Sequence, residues 1–253
     1  MPRTMLTDLY WNKLSAFMQH TGWIYDKPEH RLTLEGIIYR MRTSIPWRDL
    51  PTEFGKWNTV FSRFNAWSKK GILQIIFTWL SEIADTEWLF IDGTIVRAHQ
   101  HSAGAASDND EAIGKSRGGR STKIHLAVDS GGLPVHFELS GSQVHDSVHA
   151  ESLISKSPTS EAVIADKGYD SQRFRMFIKQ RDATPVIPHR KNSRKTDQGI
   201  DKCLYRYRHL VENAIARIKH FRAIATRYDK LERSYTSMVA LAFIIVWLPM
   251  WVD

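Results

Sequence analysis

Three carboxylates carry the chemistry legible in this sequence. Asp92 interrupts W-L-F-I-D-G-T-I-V, an otherwise apolar run, where a buried carboxylate is costly unless a partner meets it. Asp166 follows the short apolar stretch E-A-V-I-A, with Gly168 just beyond it. Glu212 is the lone acid of Y-R-Y-R-H-L-V-E-N-A-I-A-R-I-K, from Tyr205 to Lys219. Brought together with no histidine or thiol, the three form an oxygen-only donor set that suits Mg²⁺ or Mn²⁺ with waters retained. Two such ions roughly 3.5–4 Å apart would activate an attacking oxygen and stabilise a leaving one in phosphodiester displacement. Each acid also has a plainer reading. Asp92 could be a structural acid at a strand end, and Asp166 a turn residue with Asp170 as the rival ligand. Glu212 could simply pair with Arg208 four residues earlier.

The elements that would position these acids follow from periodicity. At 100° per residue, with Tyr205 as zero, Arg208 falls at about −60°, Glu212 at about −20° and Lys219 at about −40°. Leu210, Val211, Ala214, Ile218 and Phe221 take the opposite, core-facing side. Ahead of that helix, strands are expected at Trp88 to Val96, Thr122 to Asp129 and Leu133 to Leu139, the last two joined by Gly131-Gly132. A helix from His145 to Ile154, a strand from Glu161 to Ala165, a helix from Gln172 to Gln180 and a strand from Thr184 to Ile187 come next. This order is the plan of an RNase H-like domain, a mixed α/β sheet with helices on both faces. In it the first strand is central with the fourth beside it, so Asp92 and Asp166 approach and the last helix brings Glu212 across. The Gly- and Ser-rich stretch from Ser102 to Gly119 reads as a mobile loop.

Before Glu87 the chain reads as helices only: Thr7 to Gln19, Leu32 to Met41, Asn58 to Trp67 and Ile72 to Ile83, broken by Pro46, Pro51, Gly55 and Gly71. Residues 1–85 therefore form a small all-helical N-terminal domain, and residues 86–253 the catalytic domain with a buried C-terminal helix. A helix, short turn and helix can read DNA, making Lys56, Asn58, Arg63, Asn65 and Lys69 candidate contacts; the alternative is a dimerisation or packing module.

The net charge of +8 is concentrated. Lys167 to Arg233 holds 18 Lys and Arg against 7 Asp and Glu, a net of +11, which leaves the rest of the chain at −3. Such a block points to a polyanion, most simply nucleic acid. The single cysteine, Cys203, permits neither an intrachain disulfide nor a zinc cluster, which suits a reducing compartment. Met1 to Gln19 mixes charge and aromatics, unlike a signal peptide. The apolar tail from Met238 to Val252 reads as a buried helix, since Met238 to Leu248 is too short to span a membrane. His99, His101, His125 and His145 lack the paired spacing of a zinc site, and His145 with Asp146 reads as a hydrogen-bonded loop pair.

The spacing Y-x2-R-x3-E-x6-K, met by Tyr205, Arg208, Glu212 and Lys219, resembles the glutamate-region signature of bacterial insertion-sequence transposases of the DDE class. I-D-G-T-I-V-R-A-H-Q-H, G-G-R-S-T-K-I-H, Q-V-H-D-S, A-D-K-G-Y-D and I-A-T-R-Y-D-K-L are similar to that family too, as are the early P-W-R-D-L-P and W-N-T-V-F-S-R-F-N-A-W. The resemblance implies that Asp92, Asp166 and Glu212 are the metal-binding catalytic triad, and that Tyr205, Arg208 and Lys219 hold transposon-end DNA. It implies binding of terminal inverted repeats, cleavage dependent on Mg²⁺ or Mn²⁺ bound as two ions, and strand transfer into target DNA by an end-paired homodimer in the bacterial cytoplasm at the nucleoid, with no membrane partner. An RNase H-like nuclease without strand transfer, or an inactive DNA-binding relative, are the alternatives. Two departures stand out: Gly93, where similar sequences often carry Ser, and a connection to the Glu212 helix too short for the β-rich insertion of some relatives.

Overall fold

A computed structural model of the 253-residue chain describes residues 2–102, 111–190 and 199–251. Part of the expected mobile loop, residues 103–110, and residues 191–198 of the basic connection lie outside the described residues.

Four helices open the chain: α1 (Asp8–His20), α2 (Glu29–Thr43), α3 (Trp57–Lys70) and α4 (Ile72–Leu80). Thr7 caps α1, its hydroxyl accepting the Tyr10 N–H at 3.2 Å, which satisfies a donor that the first helical turn leaves free. The connection from α2 to α3 is not a short turn. Pro46 and Pro51 stop helix propagation, and residues 44–56 fold into two 3-10 turns, Trp47–Asp49 and Thr52–Phe54. The tight joint lies instead between α3 and α4, at Gly71 with φ 65°, a left-handed conformation natural to glycine.

The sheet follows with β1 (Trp88–Ala98), β2 (Gly114–Ser116), β3 (Gly119–Val128) and β4 (Pro134–Gly141), then α5 (Asp146–Lys156), β5 (Ala162–Ile164), α6 (Gln172–Lys179) and β6 (Thr184–Val186). The chain ends with α7 (Lys202–Tyr205), α8 (His209–Lys219), α9 (Arg222–Ala225), β7 (Thr226–Arg227) and α10 (Glu232–Trp247). Strand order is β4-β3-β1-β5-β6, with β2 on β3 and β7 on β1. β1, β3 and β4 are antiparallel neighbours, whereas β5 and β6 run parallel to β1. The expected central strand with the fourth long strand beside it is thus present, in the RNase H-like plan. β2 and β7 are too short to leave an alternation in the sequence.

Side chains along β1 alternate between two cores. Leu89 and Ile91 join a cluster with α5 and α6, through Ala150, Leu153, Phe174 and Ile178. Phe90 faces the other cluster, where α8, α10 and the N-terminal helices meet in one continuous core. α10 is long and apolar enough to cross a membrane by length and composition, yet Met238 to Ile244 are at most 1% exposed. Phe243 packs 5.3 Å from Phe77 of α4 and 5.2 Å from Phe137 of β4, centroid to centroid.

Candidate active site

Asp92 lies where β1 loses a neighbour. β5 pairs with β1 only over Trp88 to Phe90, and β7 rejoins it at Arg97, so the strand edge at Asp92 is open between them. The period of two sends Asp92 towards the Phe90 face and Gly93 towards the α5 face. Asp92 is partly buried, accepts the Gly93 N–H at 2.8 Å and receives Arg208 Nη1 on Oδ2 at 3.1 Å. Burial pushes its carboxyl above the usual range; the Gly93 N–H and Arg208 oppose this, while Asp166 and Asp146 add to it. Those two acids are therefore within electrostatic reach of Asp92.

Asp166 lies two residues beyond the end of β5 and caps the 3-10 turn Lys167–Tyr169, its Oδ1 accepting the Gly168 N–H at 2.7 Å. Glu212 sits in the first turn of α8, half-exposed, and accepts Arg208 Nη2. Arg208 thus spans Asp92 and Glu212. Burial alone would weaken its charge, but the two carboxylates outweigh that and raise its pKa. Lys219 reaches β1 as well, donating to Thr94 Oγ1 at 2.6 Å, two residues beyond Asp92 on the same face; burial lowers its pKa.

The single helix expected from Tyr205 to Lys219 is interrupted: α7 ends at Tyr205, Arg206–Arg208 form a 3-10 turn, and α8 begins at His209. A 3-10 turn advances by about 120° per residue, so Tyr205 and Arg208, three residues apart, point the same way and Tyr205 stays with the stripe. It is half-buried against the core, close enough to Arg208 for its phenol to act on the guanidinium's charge. Arg208, Glu212 and Lys219 remain on the side facing β1, and Phe221, beyond α8 at the N-cap position of α9, packs against the same core as Val211, Ala214 and Ile218.

Asp170 is committed elsewhere. Arg175 Nη2 donates to it at 2.8 Å, the Arg190 N–H at 2.9 Å, and His189 stands 3.2 Å away. Burial would raise its pKa, but these partners lower it.

Asp146 was not singled out as a member of this group, although Q-V-H-D-S contains it. It does not pair with His145, which caps α5 by accepting the Ser147 N–H at 3.2 Å. Asp146 turns inward: its Oδ1 is 3.1 Å from Lys123 Nζ and 3.6 Å from His125 Nδ1. It also lies 2.5 Å from where a Cβ on Gly93 would stand. Among the histidines, His99 stacks on Tyr228 and meets His101 edge-on, whereas His125 stacks on His149.

Of the N-terminal candidates, Lys56, Asn58 and Lys69 are exposed and Arg63 is half-buried. Asn65 Oδ1 is taken by Arg233 at 3.3 Å, which ties α3 to α10. Among the described residues no three His, Cys, Asp or Glu side chains already form a metal-holding group: the Arg208 guanidinium supplies the positive charge between Asp92 and Glu212. The donors are nevertheless of the right kind. Oxygen donors alone, with a buried carboxylate whose charged form its acidic neighbours disfavour, suit a hard divalent cation.

Comparison with known proteins places the chain in a family. Residues 6–77 match the family model described as "Putative transposase of IS4/5 family", and residues 84–247 match that described as "Transposase DDE domain". An uncharacterized protein, y4sN, of Sinorhizobium fredii is 34% identical over 128 residues, covering 50% of this chain and 96% of that protein. The protein named "Putative transposase for insertion sequence element IS6501", from Brucella ovis, is 32% identical over 127 residues, covering 50% of this chain and 98% of that protein. The solved piggyBac transposase synaptic complex with hairpin DNA is similar at a TM-score of 0.37 and 11% identity, over 74% of this chain and 48% of that one.

Proposed function

The chain belongs to the family of DDE-domain transposases, and from that premise we propose that Asp92, Asp166 and Glu212 are its catalytic carboxylates. They act in hydrolysis at the terminal inverted repeats of its insertion sequence and in transfer of the freed 3′-hydroxyl to target DNA. The observation that carries this reading is the Arg208 bridge, which joins Asp92 to a residue 116 positions away and to Glu212 one helical turn further on. Arg208 thereby joins the acids of β1 and α8 beside the open strand edge, and Asp166, after β5, lies within electrostatic reach of Asp92.

These carboxylates would hold Mg²⁺ or Mn²⁺, two ions in the fully loaded site. Such ions supply charge neutralisation and polarise the phosphodiester oxygens. The chain's own residues do the rest. Arg208 exchanges carboxylate for phosphate, to which a guanidinium binds in bidentate fashion; Lys219 adds a point charge beside β1 and Tyr205 a phenol edge for the DNA. The partner is double-stranded DNA, first the terminal repeats and then the target, engaged by a homodimer that holds two ends. Residues 1–85 serve as the DNA-binding or dimerisation part, residues 86–253 as the catalytic part, working at the nucleoid in the cytoplasm.

The test is cleavage of a labelled terminal-repeat duplex with Mg²⁺. Asp92→Asn and Glu212→Gln should each lose activity by on the order of 10³-fold, while Asp170→Asn should stay near the parent rate. Retained cleavage by Asp92→Asn would overturn the assignment. Joining of a pre-cut end to supercoiled plasmid separates a transposase from a nuclease that only hydrolyses.

A further inference from the structure

The end of the sheet carries a cluster of cations that the chemistry above leaves unused. The β2–β3 hairpin reads G-K-S-R-G-G-R-S from Gly114, with three bases and no acid, although the chain outside Lys167 to Arg233 nets −3. Lys115 and Arg120 are direct cross-strand partners in it, and like charges so placed destabilise an antiparallel pair. Arg117 stands at the turn, and Arg97, near the end of β1, lies in register with Ser121 of β3. All four residues are exposed. Among the described residues none of the four forms an ion pair or a side-chain hydrogen bond, whereas Lys123 of β3 and Lys156 of α5 meet Asp146 and Glu138.

The hairpin tip is tied down. Ser116 Oγ accepts the Gly118 N–H at 3.3 Å and donates to the Gly119 carbonyl at 3.1 Å, while Ser121 Oγ donates to Ser116 Oγ at 2.9 Å. Gly119 takes φ 98°, and a Cβ there would meet nothing within 4 Å, so its backbone lies open to close approach. A hollow of about 380 Å³ is lined by Arg97, His99 and Gln100 on the β1 side and by Gly118, Gly119 and Arg120 on the hairpin side. Bare backbone flanked by unpaired guanidiniums fits a phosphate, which an arginine binds through two parallel N–H groups.

Arg97 follows Asp92 by five residues on the same strand, roughly 17 Å at about 3.3 Å per residue. That is about five steps of a DNA strand at roughly 3.4 Å each. The cations around α8 give the direction: Arg208 meets β1 at Asp92, and Lys219 meets it at Thr94, two residues nearer Arg97. A duplex gripped by these two therefore continues over the hairpin. We propose that Arg97, Lys115, Arg117 and Arg120 bind the phosphate backbone of the terminal-repeat duplex about five base pairs inside the cleaved bond. The polyanion relieves the repulsion between Lys115 and Arg120 and fixes the register in which the scissile phosphate reaches Asp92. This inference rests on the reading of Arg208 and Lys219 as holding transposon-end DNA.

The experiment measures binding of the full chain to a labelled terminal-repeat duplex across a range of salt, without divalent metal. Arg97→Gln, Arg117→Gln and Arg120→Gln together should weaken binding by on the order of 10³-fold, about tenfold for each charge-assisted contact. The salt slope should become shallower by about 3. Relieved of like-charge repulsion, the triple variant should melt no lower than the parent. On the parent chain, an uncharged methylphosphonate about four to six steps inside the repeat should weaken binding about tenfold. The same group at that distance in the flanking DNA should have no effect, and the triple variant should respond to neither; the parent series needs no variant to fold. Unchanged affinity and slope, or sensitivity confined to the flanking side, overturns the proposal. If the parent binds the terminal repeat no better than an unrelated duplex, the terminal-repeat reading fails and the proposal with it. A preference that survives both the triple variant and the methylphosphonates defeats only the hairpin contact.

Discussion

Gly93 and Asp146 depend on each other. Asp92 and Gly93 are consecutive, so their side-chain directions lie on opposite faces of β1, and the acid of α5 approaches the strand where Gly93 has no Cβ. A Cβ there would stand 2.5 Å from Asp146 Oδ1 and 3.6 Å from the Lys123 side chain. A Ser at this position would need Asp146 to give way. We expect Gly93→Ala to destabilise the chain by about 1–3 kcal/mol, the usual cost of overpacking, and to cost less when Asp146→Ala is already present. A double-mutant cycle in urea measures that coupling; strictly additive effects would mean that the two residues do not meet. Gly93 was visible in the sequence only as a departure from a pattern. Its reason is the approach of a residue more than fifty positions away, which no local periodicity records.

The packing of α5 on β3 and β4 rests on a polar layer. His125 of β3 is buried, its Nε2 2.8 Å from Ser140 Oγ, and its ring stacks on His149 of α5 at 4.4 Å. Burial first, and then the charges of His149 and Lys123, hold its pKa at about 4, although Asp146 and Glu138 pull the other way. An unfolded histidine titrates near 6.5. Because the folded value is depressed, the stabilisation is complete above about pH 6.5 and is lost as pH falls from there through about 4. The full shift corresponds to roughly 3 kcal/mol. Glu138, held below its ordinary range by His136, Lys156, Ser152 and His149 despite its burial, loses its stabilisation at lower pH, so the two windows are separable. Urea midpoints at pH 7.5, 5.5 and 4.5 should fall steeply for the parent and more gently for His125→Gln. Parallel curves would place the acid sensitivity elsewhere. The alternation of T-K-I-H-L-A-V-D foretold a strand, but gave no sign that Lys123 and His125 would be buried under a helix.

Across the whole molecule, the N-terminal helices and the sheet share one core. α10 fills the space between α4 and β4, and Arg40 of α2 pairs with Asp229 at 3.2 Å, both side chains 7% exposed. Arg227, fully buried, donates to Thr122 Oγ1, to Ala112 O and to Asp229 O, binding the end of β7 to β3. The I-A-T-R-Y-D-K-L segment thus ties the two parts of the chain together. We expect a single urea transition, with fluorescence from the nine tryptophans, spread over both parts of the chain, coinciding with circular dichroism. Arg40→Met, which leaves Asp229 buried and unpaired, should lower stability by about 3–5 kcal/mol. Two separate transitions, or a change below about 1 kcal/mol, would contradict the shared core.

The sequence by itself determined the order of helices and strands, the burial of the C-terminal helix and the choice of Asp92, Asp166 and Glu212 as notable acids. Those features are written in local periodicity and in charges that stand out against apolar surroundings. Only the tertiary structure decided which neighbours the acids keep. The commitment of Asp170 to Arg175 and His189 and the inward turn of Asp146 both depend on contacts between separate elements. Such contacts are fixed when two faces pack, because packing sets which polar groups lose water and which partners remain within reach to replace it.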